Sequence, residues 1–231
     1  MRRTREQTEE TRRQVLSAAL EVFSRKGYAA TTLEEIAGEA GLTRGAVYWH
    51  FEGKADLYST LLEEKSQGAA QLWVEVSKAS ARPLEALRLF IVRSVELLEE
   101  DADYRRVLTM SWTKSEAVAE LEQPFRHKVQ RIAGVVAALE DLITRGIEAK
   151  ELRADVNPRA AARAAYALMG GLVTLFLMSP ELISPKVDAA AVVDLFIAGI
   201  VAGRQTPAER KRNVRALKQA AQAAKHRPRI R

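Results

Sequence analysis

The chain has 231 residues, 47% of them hydrophobic, enough to bury one large or two small cores. It contains no cysteine, which excludes a disulfide framework, a cysteine zinc site and thiol catalysis, and fits a reducing cytoplasm. The formal charge of +6 is unevenly placed: beyond Gly203, ten lysines and arginines face the single acid Glu209, so that segment carries +9 and the remainder is slightly acidic.

The opening RRTREQTEETRR lacks the apolar stretch of a signal peptide. Arg2, Arg3 and Arg5 form either a basic arm for phosphates or a minor groove, or a solvated terminus. A first helix is expected from Thr8 or Thr11 to Lys26, with Val15, Leu16, Ala19, Leu20 and Phe23 on one face and Gly27 closing it. Thr32 and Glu35 then form a capping box before Leu33, Ile36, Ala37 and Ala40, which keep helical spacing. Gly41 supplies a residue tolerant of positive φ where this short helix stops, and Thr43 caps a second one running to Phe51. Two short helices joined this way make a helix-turn-helix. In such a unit the second helix enters the DNA major groove by its N-terminal end, while Val47 and Phe51 hold it to the core.

Gly53 and Lys54 open a long connecting helix through Leu57, Leu61, Leu62, Trp73 and Val76 to about Ala79. Pro83 begins the next, with Leu84, Leu87, Phe90, Ile91, Val95 and Leu98 in period. Asp101 to Asp103 punctuates, and Val107, Leu108, Met110 and Trp112 belong to a shorter segment. A long pattern from Ser115 to about Glu148 carries Val118, Leu121, Phe125, Val129, Ile132, Val136, Leu139 and Ile143, with Pro124 expected to bend or break it. Asn157 and Pro158 cap and start a helix reaching Met178. Its apolar run from Ala164 is short for a membrane span and contains Gly170, Gly171 and Thr174, so a buried helix and no membrane are expected. Pro180 and Pro185 bound a loop, and Asp188 starts a last helix with Val192, Val193, Leu195, Phe196 and Ile200. Strand-like alternation is absent, and the fold class is all-α.

The run from Thr11 to Leu62, TRRQVLSAALEVFSRKGYAATTLEEIAGEAGLTRGAVYWHFEGKADLYSTLL, resembles the N-terminal DNA-binding domain of the TetR family, in particular its AcrR-like multidrug-efflux branch. The phrase TRGAVYWHF followed by Lys54 and Leu57 carries most of that specificity. GIEAKELRADVNP, ALMGGLVTLFLMSP and the last helix resemble the ligand-binding half of the same branch. The resemblance implies a three-helix DNA-binding domain over 1–53, a larger helical ligand-binding and dimerisation domain over 54–203 with 54–80 as connecting helix, and a basic tail over 204–231 that such proteins usually lack.

For DNA, the guanidinium of Arg44 matches the O6 and N7 acceptors of guanine and is the expected base reader. Thr43 serves as cap, contact or both, while Gly45 and Ala46 let the backbone approach the groove floor. Tyr48, Trp49, His50, Thr32 and Lys54 are placed for phosphate or sugar, and the resemblance gives this work to the positions of Tyr48, His50 and Lys54. Packing between helices is the other reading of Tyr48 and Trp49. Phe90, Leu108, Met110, Trp112, Phe125, Val136, Met169 and Phe176 either line a cavity for a small hydrophobic effector or fill the core. Ser94, Thr109, Ser111 and Gln123 are candidates to orient such a ligand. Leu168, Leu172, Val173, Phe176, Leu195, Phe196 and Ile200 form a homodimer surface or belong to the protomer core.

Chemistry other than binding finds little support. His50, His127 and His226 are scattered, no HExxH pair exists, and Gly170 and Gly171 lack the setting of a phosphate loop, so no catalytic residue, metal or cofactor is expected. The expected function is a dimeric repressor that binds a palindromic double-stranded DNA operator and is released by an effector, with efflux control implied by the resemblance. The alternative is a non-specific architectural DNA-binding protein aided by its tail.

Overall fold

A computed structural model of the protein describes residues 5–80, 82–113 and 121–201, leaving out the side chains at 70, 77–79, 112–113, 123 and 187. Arg2, Arg3, Val118 and the basic tail lie outside the described residues, as do the side chains of Trp112 and Gln123. Within the described residues ten helices follow one another: α1 (Arg5–Lys26), α2 (Leu33–Glu39), α3 (Arg44–His50), α4 (Lys54–Lys65), α5 (Gln67–Ala79), α6 (Pro83–Glu100), α7 (Ala102–Thr113), α8 (Glu122–Glu148), α9 (Pro158–Met178) and α10 (Pro185–Ile200). Among the same residues the one β pairing is an isolated bridge between Leu152 and Val201.

Local chemistry explains most boundaries. Thr32 and Glu35 form the capping box at α2, the Thr43 hydroxyl accepts from the Ala46 N–H at α3, and the Asn157 side chain accepts from the Ala160 N–H at α9. Gly27 and Gly41 take φ of 78° and 66°, the left-handed backbone that ends α1 and turns the chain between α2 and α3.

Three expectations are corrected. Helix α1 begins before Thr8, since Glu9 pairs with Arg12 and Glu10 with Arg13, and Thr11 donates to the Gln7 carbonyl from inside the helix instead of capping it. The connecting helix is two helices: at Ser66 the N–H is shared between the Leu62 and Glu63 carbonyls, both at 3.2 Å, where serine and the nearby Gly68 are weak helix formers. The expected pattern before Leu121 lies outside the described residues, and Pro124 stands near the start of α8. It falls in the first turn, where its missing N–H would have had no intrahelical acceptor. Asp188 does not start α10 but lies inside it, its carboxylate accepting from the Ser184 N–H that precedes the helix.

Two apolar cores result. One gathers Val15, Leu16, Phe23, Ile36, Val47 and Phe51 with Leu57, Tyr58 and Leu61 of α4, and reaches past residue 53 to take in Val107, Met110 and Leu121. The other is built from Leu87, Ile91, Leu98, Leu139, Ile143, Ala162, Ala165 and Val193 on α6, α8, α9 and α10. Helix α9 is the one described helix long and apolar enough to cross a membrane, yet it buries Ala161, Ala162, Ala165, Leu172 and Val173 against this core. Helix α7 joins the two halves. Val107 and Met110 enter the first core, Leu108 and Tyr104 pack on the second, and ion pairs Arg106–Glu21 and Lys65–Asp103 hold its outer edges.

Candidate nucleic-acid interface and buried cavity

Helix α3 is fixed by Val47, fully buried, and by Phe51 just beyond it, so the face carrying Thr43, Arg44, Gly45, Tyr48 and Trp49 points to solvent. Trp49 is 77% exposed and Tyr48 46%, far more than packing between helices would leave open. The Arg44 guanidinium is aimed rather than free: it donates to the Tyr48 hydroxyl at 3.2 Å and to the Glu34 carboxylate at 2.9 Å, and lies over the Tyr48 ring at 5.4 Å. Those two hydrogen bonds, Tyr48 first, raise its already high pKa, so it presents a permanent cation. A base edge can replace Glu34 at little cost, because an exposed ion pair contributes little.

Thr32 is exposed at the start of α2, and His50 is half-buried at the end of α3 beside the Phe51 ring. Lys54 is placed differently from the rest. Its ammonium donates inward to the carbonyls of Tyr28 and Thr31, at 3.1 and 2.9 Å, and sits 4.3 Å from the centre of the Tyr28 ring. Thr31 and Tyr28 are themselves buried, so this lysine satisfies main-chain acceptors that few other donors can reach.

Between α4–α5, α6, α7, α8 and α9 lies a cavity of about 440 Å³, within the roughly 300–1,000 Å³ usual for small-molecule sites. Of the expected lining residues, Phe90, Leu108 and Met169 face it, as do Ser94 and Ser111. Trp73 stands edge-on to Phe90, ring centres 4.8 Å apart, and Val107 and Val173 complete much of the apolar wall. The other candidates whose side chains are described lie elsewhere. Met110 is in the core under α1, where the Ser24 hydroxyl donates to its sulfur; Phe125 is 64% exposed on α8; Val136 packs on the core without reaching the cavity. Met110, Phe176 and Thr109 line a second pocket, of about 540 Å³, beside Ser24, Arg105 and Pro180.

Polar cavity residues escaped the sequence reading. Lys128 and Arg131 on α8, Tyr104 on α7 and Tyr166 on α9 all line it. The available signal was two cations three residues apart beside Ile132 and Val135, an apolar stripe that continues the same helical face. Burial raises the Tyr104 hydroxyl to about 12 and raises Tyr166 as well, so both are neutral donors at physiological pH.

Leu175 and Met178 of α9, Leu182 in the loop after it and Leu195 of α10 are exposed, three of the four above 70%. Large apolar side chains left open in this way are candidates for an interaction surface. Leu168, Phe176 and Phe196 are half-buried beside the core, but Leu172, Val173 and Ile200 are not on this surface, being taken up inside the protomer. Leu175 and Met178 were missed because α9 is apolar on more than one side, and the sequence alone does not say which side faces inward; Leu182 was missed because it stands in the loop between the two helices.

Residues 15–61 match the model for bacterial regulatory proteins of the tetR family, and residues 83–202 match that for the C-terminal part of BetI-type transcriptional repressors. The chain is 32% identical to the HTH-type transcriptional regulator AcrR of Shigella flexneri over 85% of its own length and 92% of that protein's. It superposes on NalD, the secondary repressor of the MexAB-OprM multidrug efflux pump in Pseudomonas aeruginosa, with a TM-score of 0.78 and 34% identity, covering 86% of this chain and all of that one. The SmeT–triclosan complex gives a TM-score of 0.73 at 29% identity, over 86% of this chain and 95% of the other. With its helix-turn-helix, its helical second half and relatives matched over nearly their whole length, the chain belongs to the TetR family of bacterial transcriptional regulators.

Proposed function

We propose that the protein is a dimeric repressor that holds a palindromic operator through α3 of each protomer and lets go when a small molecule fills the cavity. Its target is an efflux operon, in keeping with the relatives NalD and SmeT, named as repressors of multidrug efflux pumps. It works in the cytoplasm, where its DNA lies, and binding rather than catalysis is its activity.

The observation that carries the reading is the double membership of α7. Val107 lines the cavity and also belongs to the core that seats α1 to α4, so a ligand that shifts this helix moves the floor on which the reading helix rests. A near-complete switch needs a differential of roughly 5.5 kcal/mol between the two arrangements, a burden shared by two cavities in a dimer. Dimerisation through Leu175, Met178, Leu182 and Leu195 sets the spacing of the two α3 helices to a turn of duplex, about 34 Å, or a multiple of it.

Footprinting on the DNA upstream of the protein's own gene and of neighbouring transporter genes tests this. A protected site with twofold symmetry that disappears on adding a cavity ligand is expected. Protection without sequence preference would refute it.

A further inference from the structure

The chemistry of the cavity wall is one-sided. Lys128 and Arg131 lie three residues apart on α8, and Tyr104 and Tyr166 line the same space from α7 and α9. No aspartate or glutamate is among the described residues lining it. Of the three serines that line it, Ser94 donates to the Phe90 carbonyl and Ser111 to the Leu108 carbonyl. Lys128 reaches across to the Ser111 carbonyl at 2.9 Å, which anchors its ammonium near the C-terminal end of α7. Arg131 is exposed and Lys128, Tyr104 and Tyr166 are half-buried, whereas Phe90, Val107 and Val173 are buried. The cations and phenols are therefore the more accessible part of the lining and these apolar side chains the buried part.

We infer that the effector is an amphipathic anion, an apolar body carrying a carboxylate or similar acidic group, bound with the acidic end against Arg131, Lys128 and the tyrosine hydroxyls and the apolar end against Trp73 and Phe90. This rests on the ligand-responsive repressor reading and narrows it to a ligand class. Cations are disfavoured twice, by repulsion from the pair and by the lack of a carboxylate to receive them. Burial first, and Arg131 second, hold the Lys128 ammonium below the usual lysine range, and the attraction of a bound anion opposes that shift. The helix α7 that carries Tyr104 also carries Val107 and Met110 into the DNA-binding core, so an acid drawn toward Tyr104 pulls on the element that has to move.

Decanoate, decanol and decylamine share one apolar chain and differ in the charge at its end, and each is titrated calorimetrically into the full-length protein. Decanoate is expected to bind about tenfold or more tighter than decanol, with decylamine weakest. In Lys128→Gln, and separately in the exposed Arg131→Gln, the ratio of the decanoate and decanol constants falls toward one. Because that ratio is taken within a single variant, a general loosening of the fold cancels from it. Equal binding of decanoate and decanol to the unaltered protein, tighter binding of decylamine, or a ratio unchanged in both variants would overturn the assignment. The same probes are added to the protein bound to its promoter duplex. Release by decanol or decylamine alone keeps the repressor reading and removes the anionic effector, while no binding and no release by any of the three removes both.

Discussion

Lys54 separates two accounts of how the DNA-binding half is built. The family resemblance assigns its position to a phosphate, but its ammonium is engaged by two main-chain carbonyls and an aromatic face inside the domain. Lys54→Met keeps the stem and removes the charge. Hydrogen bonds from a charged donor contribute about 1.5–3 kcal/mol each and a partly exposed cation–π contact about 0.5–1 kcal/mol. Lys54 is only half-buried, so water recovers much of what the Tyr28 and Thr31 carbonyls lose, and a net loss of about 2 kcal/mol is expected. Urea unfolding at fixed protein concentration reads that loss as a lower midpoint with an unchanged slope. Operator binding measured across a salt series reads the other account. If Lys54 neutralised a phosphate in each protomer, its removal would lower the salt slope by roughly 1.8 per dimer, whereas an internal lysine leaves the slope alone. A variant of full stability whose salt slope drops by that amount would refute the structural role.

Three other outcomes are expected. Arg44→Ala should cost about tenfold or more in discrimination between operator and base-substituted duplexes, read by fluorescence anisotropy, while Glu34→Gln, which frees the guanidinium, should not weaken binding; undiminished preference in the first would show that another residue reads the bases. Leu195→Asp places a charge at the exposed apolar surface twice per dimer, and losing roughly 2 kcal/mol of burial at each copy should weaken self-association about a thousandfold in sedimentation, leaving helicity intact. Glu151 accepts from the Leu84 N–H at the start of α6 and from Arg82; burial opposes its ionisation, but these partners outweigh it and its pKa lies below the ordinary carboxylate value. Its contribution is therefore present above that ordinary value and lost as pH falls through the lowered one, so Glu151→Gln should cost about 1 kcal/mol at neutral pH and progressively less in acid.

Legibility in the sequence tracked how local the chemistry was. Thr32, Thr43, Asn157 and Gly41 act on neighbours within a few residues, and the helix ends they set were readable for that reason. The exposed face of α3 was equally readable, because Val47 and Phe51 leave only one side for it. The cavity was the least legible part. Met110 and Leu108 are similar apolar residues on one helix, and only the crossing of α7 between two cores sends one under α1 and the other into the cavity wall. Lys128 and Arg131 read as a solvated helix face until α7 and α9 are placed opposite them.

The coupling between cavity and reading helix is open to one direct measurement. The chain has no cysteine, so Glu52→Cys, exposed just past α3, accepts a single spin label per protomer and reports the distance between the two reading units of a dimer. Bound to operator, the pair should give one narrow distance distribution; saturated with whichever probe enters the cavity, that distribution should move to a different separation and the operator-bound one should empty. A distribution left unchanged by a fully occupied cavity would contradict the account.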